Sequence, residues 1–143
     1  GKSPPADDDD DDDDEWTESD LSLMPNILGG IKVARNSISK SAELLPTLKD
    51  ADPCAFDAFV AVAREISANA DDLIMASYAP VDRPEMLRLA ASLRGRTEGL
   101  IATAVDMLKA DGAAEVPKWV EMLQRAAEHN ESKLRGLCKG LAD

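Results

Sequence analysis

DRPEMLRLAASLRGRTEGLIATAVDMLKADG, residues 82–112, is the stretch that decides the fold class. Asp82 can cap a helix with Pro84 in its first turn, and Glu85 stands three residues after the cap, as in a capping box. Apolar side chains then recur every three or four residues, which predicts one buried face along the helix. This face comprises Met86, Leu89, Ala90, Leu93, Thr97, Leu100, Ala104 and Leu108. Because Asp111-Gly112 is a typical helix end, the pattern predicts a helix over 83–110.

Two segments on the N-terminal side of this stretch have the same period. The first, at about 20–48, can be capped by Thr17, Ser19 or Asp20, and Pro46 is expected to end it. Its apolar face is predicted as Met24, Ile27, Ile31, Ala34, Ile38, Ala42 and Leu45. The second, at about 53–79, opens with the cap-and-proline pair Asp52-Pro53 and closes before Pro80. Its apolar face is predicted as Phe56, Phe59, Val60, Ala63, Ile66, Ala70, Leu73 and Ser77.

A fourth segment, at about 116–141, starts near Pro117. Its seam is predicted as Val120, Leu123, Ala127, Leu134, Leu137 and Leu141. Short links join the four helices, which favours antiparallel neighbours. A chain of 143 residues that is 44% apolar but only 3% aromatic has the material for one helical domain. We therefore predict an all-α fold, an antiparallel four-helix bundle over residues 16–143.

Residues 1–15 differ from the rest of the chain in charge. They hold nine carboxylates, Asp7 to Asp14 and Glu15, against Lys2, and so carry −8 of the net charge of −12. A block of like charge repels itself and buries no apolar surface, which predicts a disordered acidic tail or linker. A solubilising spacer, a tract that attracts Ca²⁺ weakly and a mimic of nucleic acid for basic partners are the three roles left open for it. Since the chain begins at Gly1 without a methionine, we expect it to be a piece of a longer protein.

The residues that catalysis and metal binding need are sparse. His129 is the single histidine, Cys54 and Cys138 are far apart, and neither a GxxxxGK[ST] nor a GxGxxG motif is present. We therefore expect no catalytic residue, no metal site and no cofactor, and we interpret both cysteines as buried free thiols. A sequence pI near 4.4 argues against direct nucleic-acid binding, and no run approaches the ~20 apolar residues that span a bilayer. A protein-interaction module is the favoured class, and an enzyme is disfavoured.

Glycines on the polar helix faces are one candidate for partner contact. At ~100° per residue, five glycines are predicted to project away from the apolar stripes. They are Gly29, Gly95, Gly99, Gly136 and Gly140. An exposed mid-helix glycine costs up to ~1 kcal/mol relative to alanine, so close approach of a partner at Gly95 and Gly99 is one explanation and tolerated neutrality is the other.

Charged residues of the second and third helices are a further candidate. Asp71 and Asp72 lie side by side near a helix end, where the dipole disfavours negative charge, so either a nearby arginine, a partner or simple solvation compensates them. The third helix carries four arginines, which form either a solvated face or a landing site for the acidic tail. They are Arg83, Arg88, Arg94 and Arg96.

Three motifs, in order over about residues 14–140, carry a family resemblance. They are Trp16-Thr17-Glu18-x-Asp20 followed by Met24-Pro25; Glu65-Ile66-Ser67-x-x-x-Asp71-Asp72-Leu73 with Tyr78 and Pro80; and Lys118-Trp119-Val120 with Leu123 and Ala126. Together with the acidic stretch upstream, they resemble the C-terminal half of the cyclin-D-binding protein family (GCIP, Maid or DIP).

The resemblance implies an all-α protein that binds D-type cyclins and helix-loop-helix transcription factors and restrains cell-cycle progression. It also implies residence in the nucleus and the cytoplasm, and a missing N-terminal half of the same chain as a further partner. The candidate partner-binding residues are Trp16, Asp71, Asp72, Tyr78, Pro80, Gly95 and Gly99. The alternative function is a cytoskeletal or adaptor bundle of the vinculin and catenin type, which shares long antiparallel helices. Neither function calls for nucleic-acid or membrane contact.

Overall fold

Four long helices make up the structure, a computed structural model that describes residues 15–49 and 52–140. They are α1 (Glu18–Leu44), α2 (Pro53–Ala76), α3 (Arg83–Ala110) and α4 (Lys118–Gly140), and a short 3-10 helix (Leu45–Thr47) follows α1. No strand occurs in these ranges. The predicted all-α helical bundle is confirmed, whereas the predicted acidic tail at 1–14 lies outside the described residues.

The helix starts follow from side-chain caps. Thr17 forms a capping box with Asp20: its Oγ1 accepts from the Asp20 backbone N–H at 3.0 Å, and the Asp20 carboxylate accepts from the Thr17 N–H at 3.1 Å. The α1 helix therefore begins at Glu18, two residues before the predicted start, and continues through Pro25. The side chains of Asp52 and Asp82 cap α2 and α3, each ahead of a proline in the first turn.

The helix ends differ from the predicted bounds by a few residues. The α1 helix tightens into the 3-10 turn that contains Pro46. The α2 helix ends at Ala76, before the predicted residue 79, because Pro80 has no N–H to continue the helical hydrogen bonds and disfavours helical geometry at the residue before it. The α4 helix starts at Lys118, two residues later than predicted, and Leu141 lies outside the described residues.

The core lies where α3 meets the other helices. The most deeply buried large side chains come from all four helices. They are Leu23, Ile66, Leu73, Met86, Leu93, Leu100, Ile101 and Leu134. The α1 helix packs against α4 and α3, and α2 packs against α3, but α1 and α2 touch each other only slightly. A pair of apolar helix faces therefore diverges on one side of the bundle.

The predicted buried face of α1 is shifted around the helix. Leu23 is fully buried, whereas its predicted neighbour Met24 is only half-buried. Ile31 and Ile38 are also only half-buried, and Ala42 is exposed. Ser37 and Ser41, which the pattern did not assign to the core, take the buried positions instead, since their column of α1 faces α3 and α4.

Ion pairs join α3 to its neighbours. Four of them cross between helices. They join Arg83 to Asp20 at 3.1 Å, Arg94 to Glu131 at 2.9 Å and to Glu128 at 3.7 Å, and Arg96 to Glu65 at 3.2 Å. Arg88 pairs with Glu85 within α3. The four arginines of the third helix are thus engaged by carboxylates of the bundle itself, and a contact with the acidic tail stays a prediction.

Candidate protein-interaction surface

An open groove separates α1 from α2. It follows from the slight contact between these helices, and it encloses about 330 Å³ along their central turns. Side chains of both helices line it: Ile31, Ala34, Arg35, Ile38 and Ser39 from α1, and Ile66, Ser67, Ala70, Asp71 and Ile74 from α2. A continuation of the groove passes Phe59, Val60, Ala63 and Arg64 toward the start of α2. We call this feature the α1/α2 groove.

The walls of the α1/α2 groove are apolar and partly exposed. Ile74 is 38% exposed and Val60 is 44% exposed, although both belong to the apolar side of α2. On α1, Leu28 is exposed seven residues before the groove residue Arg35, and Leu21 is exposed seven residues before Leu28. Residues seven apart lie within ~20° of each other on a helix, so both leucines lie on the side of α1 that faces the groove. Contiguous exposed apolar surfaces of this kind mark interaction sites, whereas single exposed apolar residues are common on any protein surface.

The rim of the groove carries charges of both signs. Arg35 on α1 and Asp71 on α2 line the same section from opposite walls, and Arg64 lies farther along α2. All eight arginines of the chain lie in the described ranges, and six of them form ion pairs there: Arg83, Arg88, Arg94, Arg96, Arg125 and Arg135. Arg35 and Arg64, which line the groove, form none with the residues that the structure describes.

The chain segment that precedes α1 contacts the end of α2. The Trp16 indole Nε1 donates to the Ser77 carbonyl oxygen at 2.8 Å, which ties the start of α1 to the end of α2. Trp16 is nevertheless 45% exposed, and the neighbouring Tyr78 is 55% exposed. Pro80, after a cis Ala79–Pro80 peptide bond, is exposed in the same turn. The structure thus brings three of the predicted partner-binding residues to one end of the bundle.

The Thr17–Asp20 capping box belongs to the same junction. Arg83 at the start of α3 donates to Asp20 Oδ1 at 3.1 Å, so three helices meet there. Burial raises the pKa of the Asp20 carboxyl, but hydrogen bonds from Thr17 and Arg83 outweigh it and hold the pKa below its ordinary value. The first motif of the family resemblance is therefore a structural junction, with the indole of Trp16 at its surface.

Asp71 and Asp72 face different surroundings. Asp71 lies on the rim of the α1/α2 groove, whereas Asp72 lies on the α3 side of α2, beside Glu85 and Arg88. The pKa of Arg88 is raised, chiefly by its hydrogen bond to Glu85 and to a smaller extent by the charge of Asp72. Arg88 thus lies near Asp72, as one of the three predicted alternatives has it, but its ion pair is with Glu85, and Asp72 is exposed.

The predicted glycine surface is partly corrected. Gly95 and Gly99 are exposed on α3, and a Cβ added at either would meet no atom within 4 Å, so they lie apart from the α1/α2 groove. Gly29 was predicted to project outward, and this is wrong. A Cβ on Gly29 would stand 2.3 Å from Asn130 Oδ1, because α1 packs closely against α4 at that turn.

Side chains suited to catalysis or metal binding are not gathered in the described part of the chain. No group of three or more metal-ligating side chains is found there, and His129 is exposed. The interior space between α1, α3 and α4 is only about 20 Å³, room for one water molecule and too small for a substrate. Both cysteines are free, but Cys54 is exposed, so the interpretation of it as buried is wrong. Burial raises the pKa of the Cys138 thiol.

The α1/α2 groove itself was not predicted. The available signal was the width of the apolar face on residues 53–79, where Val60 and Ala63 lie beside the column of Ile66 and Leu73. A face of that width exceeds what one neighbouring helix covers. The sequence pattern predicts the whole of this apolar face as buried in the core.

Comparisons with known proteins agree with the family resemblance. No family model matches the chain. The chain is 26% identical over 129 residues to a protein of Xenopus laevis named Cyclin-D1-binding protein 1 homolog, covering 87% of the chain and 38% of that relative. It is 26% identical over 131 residues to Cyclin-D1-binding protein 1 of Mus musculus, covering 90% of the chain and 36% of the relative. The Rattus norvegicus protein of the same name is 27% identical over 125 residues, with 85% and 34% covered.

These relatives are much longer than the chain. The chain spans little more than a third of the length of the curated relatives it matches, which is consistent with the predicted match to the C-terminal half of the family. Among the described residues, no helix is long and apolar enough to cross a membrane. The chain is thus similar to the cyclin-D1-binding proteins along nearly its whole length, and the predicted resemblance to that family is confirmed.

Proposed function

We propose that this chain is a protein-interaction module and that it has no catalytic activity of its own. The observation that carries the proposal is the α1/α2 groove, an open apolar surface between two helices whose junction, at the start of α1 and the end of α2, carries the exposed aromatic side chains of Trp16 and Tyr78. Aromatic and aliphatic side chains that stay partly exposed supply the buried anchors of protein interfaces. The printed names of the relatives, which describe binding proteins, support the same class of function.

The finer proposal is a negative regulator of cell-cycle progression. Its partners would be D-type cyclins and helix-loop-helix transcription factors, and it would act in both the nucleus and the cytoplasm. The names of the relatives support the cyclin, and the family resemblance supports the rest. Imaging of a fluorescent fusion tests the two compartments.

Capture with a purified D-type cyclin tests the function. We expect the 143-residue chain to retain the cyclin and Tyr78→Ala to retain several-fold less, because an exposed aromatic anchor is lost. Met122→Ala is the matched control, since Met122 is 68% exposed on α4, outside the groove. Failure of the unaltered chain to retain any D-type cyclin contradicts the cyclin proposal. Retention of actin in place of cyclin would favour the cytoskeletal alternative.

A further inference from the structure

The bundle leaves apolar surface uncovered along the central turns of two helices. From Val60 to Ile74 the exposed apolar wall of α2 extends over 14 residue steps, or ~21 Å at 1.5 Å per residue. Ile31 and Ile38 form the facing wall on α1. Because removing apolar surface from water is favourable, a partner with an apolar face would gain by covering these walls.

We propose that the α1/α2 groove binds an amphipathic α-helix of a partner protein, which lies along α1 and α2 as a fifth helix. Its apolar face would cover Ile31, Ile38 and Ile74, and its edges would place carboxylates beside Arg35 and Arg64. The inference rests on the proposed function, because it names the surface and the class of partner for that interaction.

The charges at the rim point to this occupant. Every other arginine of the described ranges has a carboxylate partner within the bundle. Arg35 and Arg64 are therefore the two guanidinium groups that could pair with carboxylates of a partner protein. Arg35 and Asp71 stand on opposite walls of the same section. A helix between them would carry an acidic residue beside Arg35 on its α1 side, and on its α2 side a basic residue beside Asp71 and an acidic residue beside Arg64. Such edge charges determine partner and orientation in helical assemblies.

The shape of the groove fits a helix as well. On the α2 wall, the small residues Ala63, Ser67 and Ala70 lie between the larger Val60 and Ile74. Small residues at the base of a groove let another helix approach closely, and apolar side chains at its sides cover the anchors of that helix. An occupant with apolar anchors at every third or fourth position matches this spacing.

The test uses the 143-residue chain and a designed probe peptide. The probe is an 18-residue helical peptide with leucines at every third or fourth position, one glutamate on the edge that faces α1, and a lysine and a glutamate seven residues apart on the edge that faces α2. NMR spectra of the isoleucine methyl groups report where it binds. We expect the probe to shift the methyl signals of Ile31, Ile38 and Ile74 and to leave those of the core residues Ile27 and Ile101, which do not line the groove, in place.

Matched variants locate the surface. Ser67 is exposed in the groove and Ser132 is exposed on α4, so Ser67→Arg and Ser132→Arg place the same side chain inside and outside the proposed site. We expect Ser67→Arg to weaken probe binding at least about tenfold, equivalent to ~1.4 kcal/mol, and Ser132→Arg to change it less than twofold. Arg35→Glu is expected to weaken the glutamate probe and to favour a probe with lysines in place of the glutamates.

Four outcomes would overturn the inference. They are no probe binding, methyl shifts confined to other surfaces, equal affinity of the two probes for the unaltered chain, and a dimer in sedimentation that moves the same methyl groups without probe. The last outcome would assign the groove to a second copy. If the probe does not shift the groove methyl signals of a protein as long as the relatives, the groove would be assigned to another segment of the same chain. Failure of cyclin capture, by contrast, counts against the proposed function and leaves probe binding as a separate result.

Discussion

Single residues decide how closely the helices approach. Gly29 and Gly30 are adjacent on α1, yet they have different surroundings. A Cβ on Gly29 would overlap the Asn130 side chain, which donates to the Ala126 carbonyl and accepts from Asn26, whereas a Cβ on Gly30 would meet nothing within 4 Å. The pair therefore separates the packing role of a glycine from its intrinsic cost to a helix.

We expect Gly30→Ala to stabilise the protein and Gly29→Ala not to. Alanine gains up to ~1 kcal/mol over glycine at either helical position. At Gly29 the gain is offset because the Asn130 amide must move, which costs about 1 kcal/mol for each hydrogen bond lost. Chemical denaturation of both variants measures the difference. Equal stabilisation by the two substitutions would mean that α1 and α4 are farther apart at this turn.

Ser41 is a second residue with a specific expectation. It is 1% exposed, and its hydroxyl has no hydrogen-bond partner among the described residues, whereas the equally buried Ser37 hydroxyl donates to the Val33 carbonyl at 2.8 Å. We expect Ser41→Ala to raise the free energy of unfolding by about 1 kcal/mol more than Ser37→Ala does, since an unpaired buried hydroxyl is costly. Denaturant titration of the two variants checks this, and the reverse order would contradict it.

Among the secondary-structure elements, α3 holds the bundle together through charge as well as apolar contact. Glu131 on α4 is buried and accepts from Arg94 on α3 and from Arg135 on its own helix. Burial raises the pKa of its carboxyl, but these two guanidinium groups outweigh that effect and lower the pKa below the ordinary value of 4.5. The pKa of Asp20, at the junction of α1 and α3, is lowered as well.

The lowered pKa values predict a loss of stability in acid. A carboxyl whose pKa is lower in the folded protein stabilises it above the unfolded-state pKa, and that contribution is lost as the pH falls through the folded-state value. We expect the free energy of unfolding to fall as the pH drops below about 4.5. Glu131→Gln should make this fall shallower, while Glu115→Gln, at an exposed carboxylate in the link between α3 and α4, should leave it unchanged. Equal pH profiles for the two variants would contradict the role of Glu131.

The existence of the helices could be predicted from the sequence, but the orientation of α1 could not. Caps and prolines are local signals, so Asp52-Pro53 and Asp82 indicated the correct starts of α2 and α3. The buried face of α1 depends on where the other helices lie. Met24 and Leu23 are both apolar, and only the packing against α3 and α4 decides that Leu23 is buried.

Across the whole molecule, the candidate site is a consequence of unequal helix packing. The sequence pointed to Trp16 and Tyr78 through a family resemblance, and the structure places both, exposed, where the start of α1 meets the end of α2, while their role in partner binding stays a prediction. It did not point to Arg35, because a single arginine on a helix has no distinguishing pattern. Periodicity indicates that a residue is apolar and repeated, but it does not indicate whether a partner inside the chain covers it.

The most direct test of the α1/α2 groove uses the six isoleucines of the chain. Ile27, Ile66 and Ile101 are buried, at no more than 3% exposure, with Ile66 at the base of the groove, whereas Ile31, Ile38 and Ile74 form its partly exposed walls. A soluble paramagnetic gadolinium chelate broadens the NMR methyl signals of side chains that solvent can reach. The structure predicts strong broadening for the methyl groups of the three wall residues and little for those of the three buried residues. Equal protection of all six would mean that α2 closes against α1, and would contradict the existence of the groove.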